Sequence, residues 1–212
     1  MEFVDPKTTP FVPLHSRGEL PHLYKPGGTC FVTFRLADAI TPAHLRSKLS
    51  KTPDVIELAA SFDPPLTLGS CILKQPAVAT IIQEAILSSR EQCELLAWCI
   101  MPNHVHVVFA PLIGFSPPRL LQSWKGRSSR LINQMLGRSG PLWERESFDH
   151  LIRSVDSLER FVDYVEQNPV AAGLCSKPDA WPFSSACGAG FSLPHSEQAK
   201  ACTTNLPGIV ER

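Results

Sequence analysis

Two histidines in this sequence, His104 and His106, have the spacing of a metal site. They begin the apolar run 104–110, whose composition is typical of a β-strand. Because successive side chains of a strand point to opposite faces, both imidazoles project from one face, and Val105 and Val107 project from the other. Two adjacent imidazoles with room for a third ligand can hold a metal ion. The alternative is a pair of structural histidines, which the motif taken alone favours.

Tyr164 is a second candidate, because a phenol can act as a nucleophile when it is activated. Apolar residues at helical spacing predict a helix over 156–167, and Tyr164 lies about 110° from its apolar stripe. Asn168, one helical turn later, falls on the same flank, although Pro169 disfavours helical geometry at Asn168. Tyr24, the other tyrosine of the chain, lies in a proline-rich stretch without periodicity. Packing at the margin of a buried face is the alternative role of Tyr164.

A third group of candidate residues is basic. No acidic residue occurs between Pro111 and Gly140. Five positive side chains lie in this window: Arg119, Lys125, Arg127, Arg130 and Arg138. The whole chain has 20 basic and 20 acidic residues, so its net charge indicates no partner. Helical spacing of the apolar residues predicts that the window forms a helix, whose basic face suits a phosphate backbone. A solvated basic face is the alternative, and the local concentration of charge favours nucleic acid.

The elements that position these residues follow one order along the chain. The sequence predicts strands at 29–35, 95–100, 104–110 and 142–152, and helices at 77–90, 116–136 and 156–167. Pro76 begins the first of these helices, and Asp156 with Glu159 forms a capping pair for the last. The two central strands form a hairpin in the middle of a sheet. The order predicts an α+β, ferredoxin-like split β-α-β sandwich with an antiparallel sheet, and an extra C-terminal helix that carries Tyr164.

The predicted domain, 25–187, is preceded by an N-terminal arm, 1–24, and followed by a flexible tail, 188–212. An insertion at about 37–76 holds short helical stretches near 43–50 and 54–61. Hydrophobic residues make up 43% of the chain, which is typical of a globular domain. No apolar run reaches the ~18–20 residues that span a bilayer, and no signal peptide is evident. Seven cysteines without C-x-x-C spacing indicate thiols in a reducing compartment. We therefore expect a cytoplasmic protein.

Four segments together resemble a known family. They are WCIMPNHVH at 98–106, LWERESFDHLIR at 142–153, YVEQNPVAAGL at 164–174 and AWPFSSA at 180–186. In this order and spacing they are similar to the REP-associated tyrosine transposases, a branch of the single-tyrosine HUH transposases. The resemblance covers about residues 25–187, and the insertion and the tail exceed the compact core of the family.

The resemblance implies a bacterial, nucleoid-associated enzyme that cleaves and rejoins single-stranded or hairpin DNA. It implies that His104 and His106 bind a divalent ion, Mg²⁺ or Mn²⁺, and that Asn168 is a third ligand. Tyr164 would attack the scissile phosphate and leave a 5′-phosphotyrosine link. The enzyme would act as a monomer or a homodimer, without a membrane partner.

Two other functions remain open from the sequence. One is a non-catalytic or domesticated nucleic-acid-binding protein on the same fold, since ferredoxin-like sheets also bind RNA. Such sheets carry aromatic residues on their exposed face, where this sequence has two histidines. The other is a small metalloprotein or regulatory domain, which leaves the basic helix and the position of Tyr164 unexplained.

Overall fold

The computed structural model describes residues 27–39 and 54–188, together with two short strands, β1 (Val12–Leu14) and β2 (His22–Tyr24). β1 and β2 pair antiparallel within the region predicted as an irregular arm, so this region contains a strand pair. The helical stretch predicted near 43–50 and the tail from residue 189 onward lie outside the described residues.

A four-stranded sheet forms the centre of the domain. Its strands are β3 (Cys30–Arg35), β4 (Cys93–Ile100), β5 (His104–Pro111) and β6 (Phe148–Leu151). Their order is β4-β5-β3-β6, and every neighbouring pair is antiparallel. This topology confirms the predicted ferredoxin-like arrangement. The hairpin of β4 and β5 does not lie wholly in the middle of the sheet, where the sequence predicts it. β5 is an inner strand, whereas β4 lies at the edge of the sheet, because β3 pairs with the other side of β5.

Helices cover both faces of the sheet. They are α1 (Val55–Ser61), α2 (Pro76–Leu87), α3 (Pro117–Met135) and α4 (Val155–Ala171). On one face, Phe109 of β5 meets Trp124 of α3 edge to face, with ring centroids 5.0 Å apart, and α2 packs beside α3. On the other face, Phe31 of β3 stacks on Phe161 of α4 at 4.6 Å. The sheet therefore separates α4 from α2 and α3.

The helix that carries Tyr164 begins earlier and ends later than its sequence predicts. Ser154 is its N-cap and accepts a hydrogen bond from the N–H of Ser157 at 3.2 Å, so Asp156 lies in the first turn. The helix continues through Asn168 to Ala171 although it contains Pro169. Pro169 is buried, and it costs the helix one backbone hydrogen bond at this position.

The segment 142–143, predicted as the start of a strand, forms only a bridge between Leu36 and Trp143. The strand itself begins at Phe148. The N–H of Ala37 donates to the carbonyl of Leu142 at 2.9 Å, so this segment still follows the end of β3. It thereby brings Glu144 next to Arg35.

The segment that follows α4 covers the outer side of β4. The N–H of Ile100 donates to the carbonyl of Phe183, and the N–H of Ser185 donates to the carbonyl of Trp98, both at 2.8 Å. The indole of Trp181 donates to the carbonyl of Ile100 at 3.0 Å. These bonds satisfy backbone groups that an uncovered sheet edge would expose. Over the described ranges, no helix is both long and apolar enough to cross a membrane.

Candidate active site

His104 and His106 lie at the start of β5 and are buried. The sheet register places His106 opposite Thr33 and His104 opposite Arg35 of β3. Both imidazoles project from the face that α4 covers, and their Nε2 atoms are 3.0 Å apart. The predicted common direction of the two rings is therefore found in the structure, on the same side of the sheet as Tyr164.

Hydrogen bonds to their Nδ1 atoms orient both histidines. Asn103 Nδ2 donates to the carbonyls of Pro65 and Leu68 at 2.9 and 3.0 Å, so its Oδ1 is the acceptor for His104 Nδ1 at 2.8 Å. His104 Nδ1 therefore carries the proton, and Nε2 keeps its lone pair. His106 Nδ1 lies 2.8 Å from the hydroxyl of Thr33, which can accept in the same way. His104 Nε2 is then an acceptor 3.0 Å from His106 Nε2, and both nitrogens can act as ligands of a cation once neither carries a proton.

Asp63 provides a third group beside the imidazoles. Its Oδ1 lies 3.9 Å from His104 Nε2, and its Oδ2 lies 3.5 Å from His106 Nε2. One possible ligand atom from each of the three residues falls within 4.8 Å of the others. Oδ1 is buried and has no hydrogen-bond partner among the described residues. A buried, orphaned carboxylate oxygen beside two imidazole nitrogens fits a divalent cation, and the mixed oxygen and nitrogen set suits Mn²⁺ better than Mg²⁺.

Tyr164 reaches the same group from α4. Its hydroxyl donates a hydrogen bond to Asp63 Oδ2, and its ring lies 5.4 Å from the ring of His106. Asn168, one turn later, donates from Nδ2 to the same Oδ2 at 3.3 Å. All four residues predicted for the catalytic and metal site therefore converge. Asp63 is thus the carboxylate beside the two histidines, and Asn168 donates to the same Oδ2 that lies 3.5 Å from His106 Nε2.

Burial and charge determine which groups of the site are ionised. Burial lowers the pKa of His104 to about 3, so this imidazole is neutral at pH 7. Burial opposes ionisation of Asp63, but its interactions with the two imidazoles and the hydrogen bond from Tyr164 outweigh this and set its pKa at about 2. Burial and the Asp63 carboxylate raise the pKa of the Tyr164 phenol far above its usual value. The pocket thus holds an anion and a protonated phenol, an arrangement that attracts a cation.

Asp63 was not identified from the sequence. It lies 41 residues before His104 in the chain, inside the region predicted as an insertion, and it belongs to no metal-ligand spacing. The one local indication is its position directly after α1 and before Pro64 and Pro65, which fix the backbone around an isolated carboxylate. Only the packing of α1 and its following loop against α4 shows its role.

The basic residues predicted for DNA binding form a separate surface. α3 packs on the face of the sheet opposite α4, so these side chains are not brought to Tyr164. Four of them are exposed: Arg119, Arg127, Arg130 and Arg138. Lys125 is half-buried, and its Nζ donates to the carbonyls of Glu144 and Arg145 at 2.6 and 3.2 Å. Burial lowers the pKa of Lys125 to about 8. Lys125 therefore anchors a loop. The exposed arginines face solvent, and one of them, Arg127, also donates to the hydroxyl of Ser88 at 3.1 Å.

Comparison with known proteins connects this site to a family. The family model described as transposase, IS200-like, matches residues 73–168, which include both histidines, Tyr164 and Asn168 but not Asp63. Two curated proteins named as REP-associated tyrosine transposases are similar. The one from Haemophilus influenzae is 28% identical over 102 residues, covering 43% of this chain and 58% of that protein. The one from Escherichia coli is 27% identical over 93 residues, covering 43% and 53%. The chain thus spans little more than half the length of these relatives.

A solved structure of a REP-associated tyrosine transposase bound to a REP hairpin has the same fold. Its TM-score is 0.52 at 20% sequence identity, and the match covers 84% of this chain and 95% of that chain. These findings confirm the resemblance predicted from the sequence motifs. Residues 73–168, a little under half of the chain, therefore resemble the IS200-like transposases, and two REP-associated tyrosine transposases are similar to it.

Proposed function

We propose that this protein cleaves and rejoins single-stranded or hairpin DNA through a covalent 5′-phosphotyrosine link at Tyr164. One observation carries the proposal: the Tyr164 hydroxyl donates a hydrogen bond to the Asp63 carboxylate. The oxygens of this carboxylate lie 3.5 Å from His106 Nε2 and 3.9 Å from His104 Nε2. A nucleophile that shares a partner with a cation site is placed to attack a phosphate bound at that site. The family match supports the reaction class.

We infer that His104, His106 and Asp63 hold the divalent ion, Mn²⁺ or Mg²⁺, with Asn168 beside them. When bound, the ion polarises the oxygens of the scissile phosphate and neutralises the charge that develops on it. The protein's own contribution is to fix the ligand atoms. Asn103 and Thr33 bind the Nδ1 atoms, so both Nε2 atoms face Asp63.

The proposed cleavage exchanges one phosphodiester for another at the scissile phosphate. The Tyr164 oxygen attacks phosphorus, the bond from phosphorus to the 3′ oxygen breaks, and the strand leaves with a 3′-hydroxyl. As the new bond forms, the phenolic proton moves by way of Asp63 Oδ2, its hydrogen-bond acceptor, to the leaving 3′ oxygen, so Asp63 ends the step ionised as it began. The total charge does not change, because one phosphodiester replaces another. Attack by a 3′-hydroxyl on the tyrosine ester reverses the step without an energy-rich cofactor.

The exposed arginines of α3 are the proposed DNA-backbone contacts. Arg119, Arg127 and Arg130 lie along the solvent side of this helix, and Arg138 follows it. Because the sheet lies between α3 and Tyr164, these residues would bind DNA at a distance from the scissile phosphate. One relative was solved with a REP hairpin, and a hairpin stem is a suitable duplex for this surface. Acting on bacterial DNA, the protein would associate with the nucleoid, as a monomer or a homodimer.

A strand-labelling experiment tests the proposed function. Hairpin DNA with randomised single-stranded flanks, labelled at the 3′ end or at the 5′ end, is incubated with the protein and Mn²⁺. A 5′-phosphotyrosine link predicts that the 3′ label alone moves with the protein on a denaturing gel, and that EDTA prevents this. The 5′-labelled fragment should be released with a 3′-hydroxyl. Retained DNA binding without any adduct in Mn²⁺ or Mg²⁺ would instead support the non-catalytic alternative.

A further inference from the structure

Arg35 lies at the end of β3, opposite His104 in the sheet register. Its guanidinium forms a bidentate ion pair with Glu144, through Nε to Oε2 and through Nη2 to Oε1, the latter at 3.1 Å. Its remaining nitrogen, Nη1, donates to the carbonyl of Phe62 at 3.2 Å. All three nitrogens thus contact the protein, and one of them holds the peptide group that leads into Asp63.

Glu144 is itself fixed by the backbone around it. Its N–H donates to the carbonyl of Arg35 at 2.9 Å, and its own carbonyl accepts from Lys125 Nζ at 2.6 Å. The carboxylate that directs the guanidinium therefore comes from a segment tied to both β3 and α3. A planar guanidinium held by two parallel hydrogen bonds has a defined orientation. Nη1 is therefore directed at the carbonyl of Phe62.

The loop that contains Asp63 is also held on its far side. Asn103 Nδ2 donates to the carbonyls of Pro65 and Leu68, while Arg35 holds the carbonyl of Phe62. Only Asp63 and Pro64 lie between these anchors. The side chain of Asp63 therefore projects from a short backbone stretch that is fixed at each end.

We propose that Arg35 is a positioning residue that holds the Asp63 carboxylate in place for metal binding, acting through the carbonyl of Phe62. The inference rests on the proposed metal site. Ligand side chains bind an ion tightly when neighbouring groups fix them in advance. Without Arg35, the peptide group before Asp63 loses its anchor, and the carboxylate must be ordered when the ion binds.

Direct binding of a DNA phosphate is the other role that a guanidinium beside the site suggests. The geometry disfavours it, because Glu144 already neutralises Arg35 and takes two of its three nitrogens. The two roles predict that a substitution of Arg35 weakens different kinds of binding. A positioning role affects metal affinity and depends on Asp63, whereas a phosphate contact affects DNA affinity without any metal.

Calorimetric titration with Mn²⁺ separates these roles in a double-mutant cycle. The four proteins are the full-length wild type, Arg35→Gln, Asp63→Asn and the double variant. We expect Arg35→Gln to weaken Mn²⁺ binding about tenfold or more, and to change it less than about twofold when Asp63 is already Asn. Arg153→Gln, which changes an exposed arginine that follows β6, is the matched control and should bind Mn²⁺ like the wild type. If Asp63→Asn binds Mn²⁺ too weakly to titrate, Zn²⁺, which imidazoles hold more tightly, replaces it throughout.

An equal loss in both backgrounds, or no loss from Arg35→Gln, would overturn the positioning role. So would weaker DNA binding in EDTA with unchanged Mn²⁺ affinity. A wild-type protein that binds no metal would instead show that the proposed metal site is wrong. If circular dichroism shows that Arg35→Gln does not fold, Glu144→Gln takes its place. That variant keeps the guanidinium and should give a smaller loss of affinity that is likewise absent when Asp63 is Asn.

Discussion

At the residue scale, the Asp63 carboxylate serves two sets of partners. Oδ2 accepts hydrogen bonds from Tyr164 and Asn168, and it lies 3.5 Å from His106 Nε2. Oδ1 is buried without a hydrogen-bond partner among the described residues and lies 3.9 Å from His104 Nε2. A carboxylate has lone pairs enough for both sets, whereas an amide has one oxygen only. The same side chain can therefore bind an ion and hold the nucleophile beside it.

Substitutions at Asp63 and Asn168 distinguish the third metal ligand. Asp63→Asn should weaken Mn²⁺ binding at least about tenfold, because it removes the anionic oxygen next to the imidazoles. Asn168→Ala should weaken Mn²⁺ binding less than about threefold, because Asn168 reaches the site only through a hydrogen bond to the Asp63 carboxylate. Calorimetry measures both affinities, and Asp163→Asn, an exposed carboxylate on α4, is the control. A larger loss from Asn168→Ala would make Asn168 the ligand, as the family resemblance implies.

His150 makes the stability of the ion-free protein depend on pH. It lies on β6 against Phe161, and burial together with the nearby Arg153 lowers its pKa from 6.5 to about 4. Below pH 6.5 the unfolded chain binds a proton that the folded chain does not, so this stability is present above pH 6.5 and is lost as the pH falls toward 4. Between pH 7 and 5 the wild type should lose about 1 kcal/mol more than His150→Phe, after allowance for partial exposure.

Urea unfolding in EDTA at pH 7, 6 and 5 measures this difference. The phenylalanine variant keeps a ring against Phe161 and removes the titrating group, so it is its own packing control. Equal pH dependence of the two proteins would show that His150 does not contribute in this way.

At the element scale, the basic helix divides into one structural lysine and several exposed arginines. Lys125 holds the carbonyls of Glu144 and Arg145, and the arginines face solvent. The paired substitution Arg119→Ala and Arg130→Ala should weaken DNA binding and reduce the slope of log affinity against log salt by about 1 to 2. Lys125→Met keeps the aliphatic stem, and it should lower the free energy of unfolding by about 1 kcal/mol without changing that slope.

DNA binding at several salt concentrations measures the slope, and urea unfolding measures the stability. The adduct yield at saturating DNA should stay near that of the wild type in the arginine variant, because α3 lies across the sheet from Tyr164. An unchanged salt slope would show that this helix is not the DNA-binding surface.

The sequence predicts the elements better than it predicts their contacts. Strand and helix order follows from local periodicity, and the common direction of His104 and His106 follows from the two-residue repeat of a strand. Asp63 depends on long-range packing, since its loop is fixed by Arg35 from one strand and by Asn103 from a hairpin turn. The N-cap at Ser154 is missed because Asp156 offers an equally suitable local pattern.

At the scale of the whole molecule, the sheet separates the two proposed sites. Its α4 face carries the phenol, the imidazoles and the carboxylate, and its α3 face carries the exposed arginines. Metal binding and backbone binding should therefore be lost independently in variants of each face. The segment after α4 joins this helix to β4, since Ser185 accepts from the N–H of Trp98 and donates to Glu166 of α4.

The most direct measurement is mass spectrometry of the peptide that carries DNA after reaction with Mn²⁺. The chain has two tyrosines, so Tyr24→Phe and Tyr164→Phe are matched variants of the same chemistry. We predict that the nucleotide is found on the peptide containing Tyr164, that Tyr24→Phe forms the adduct in normal yield, and that Tyr164→Phe forms none. A nucleotide on any other residue, or an adduct of normal yield from Tyr164→Phe, would contradict the account.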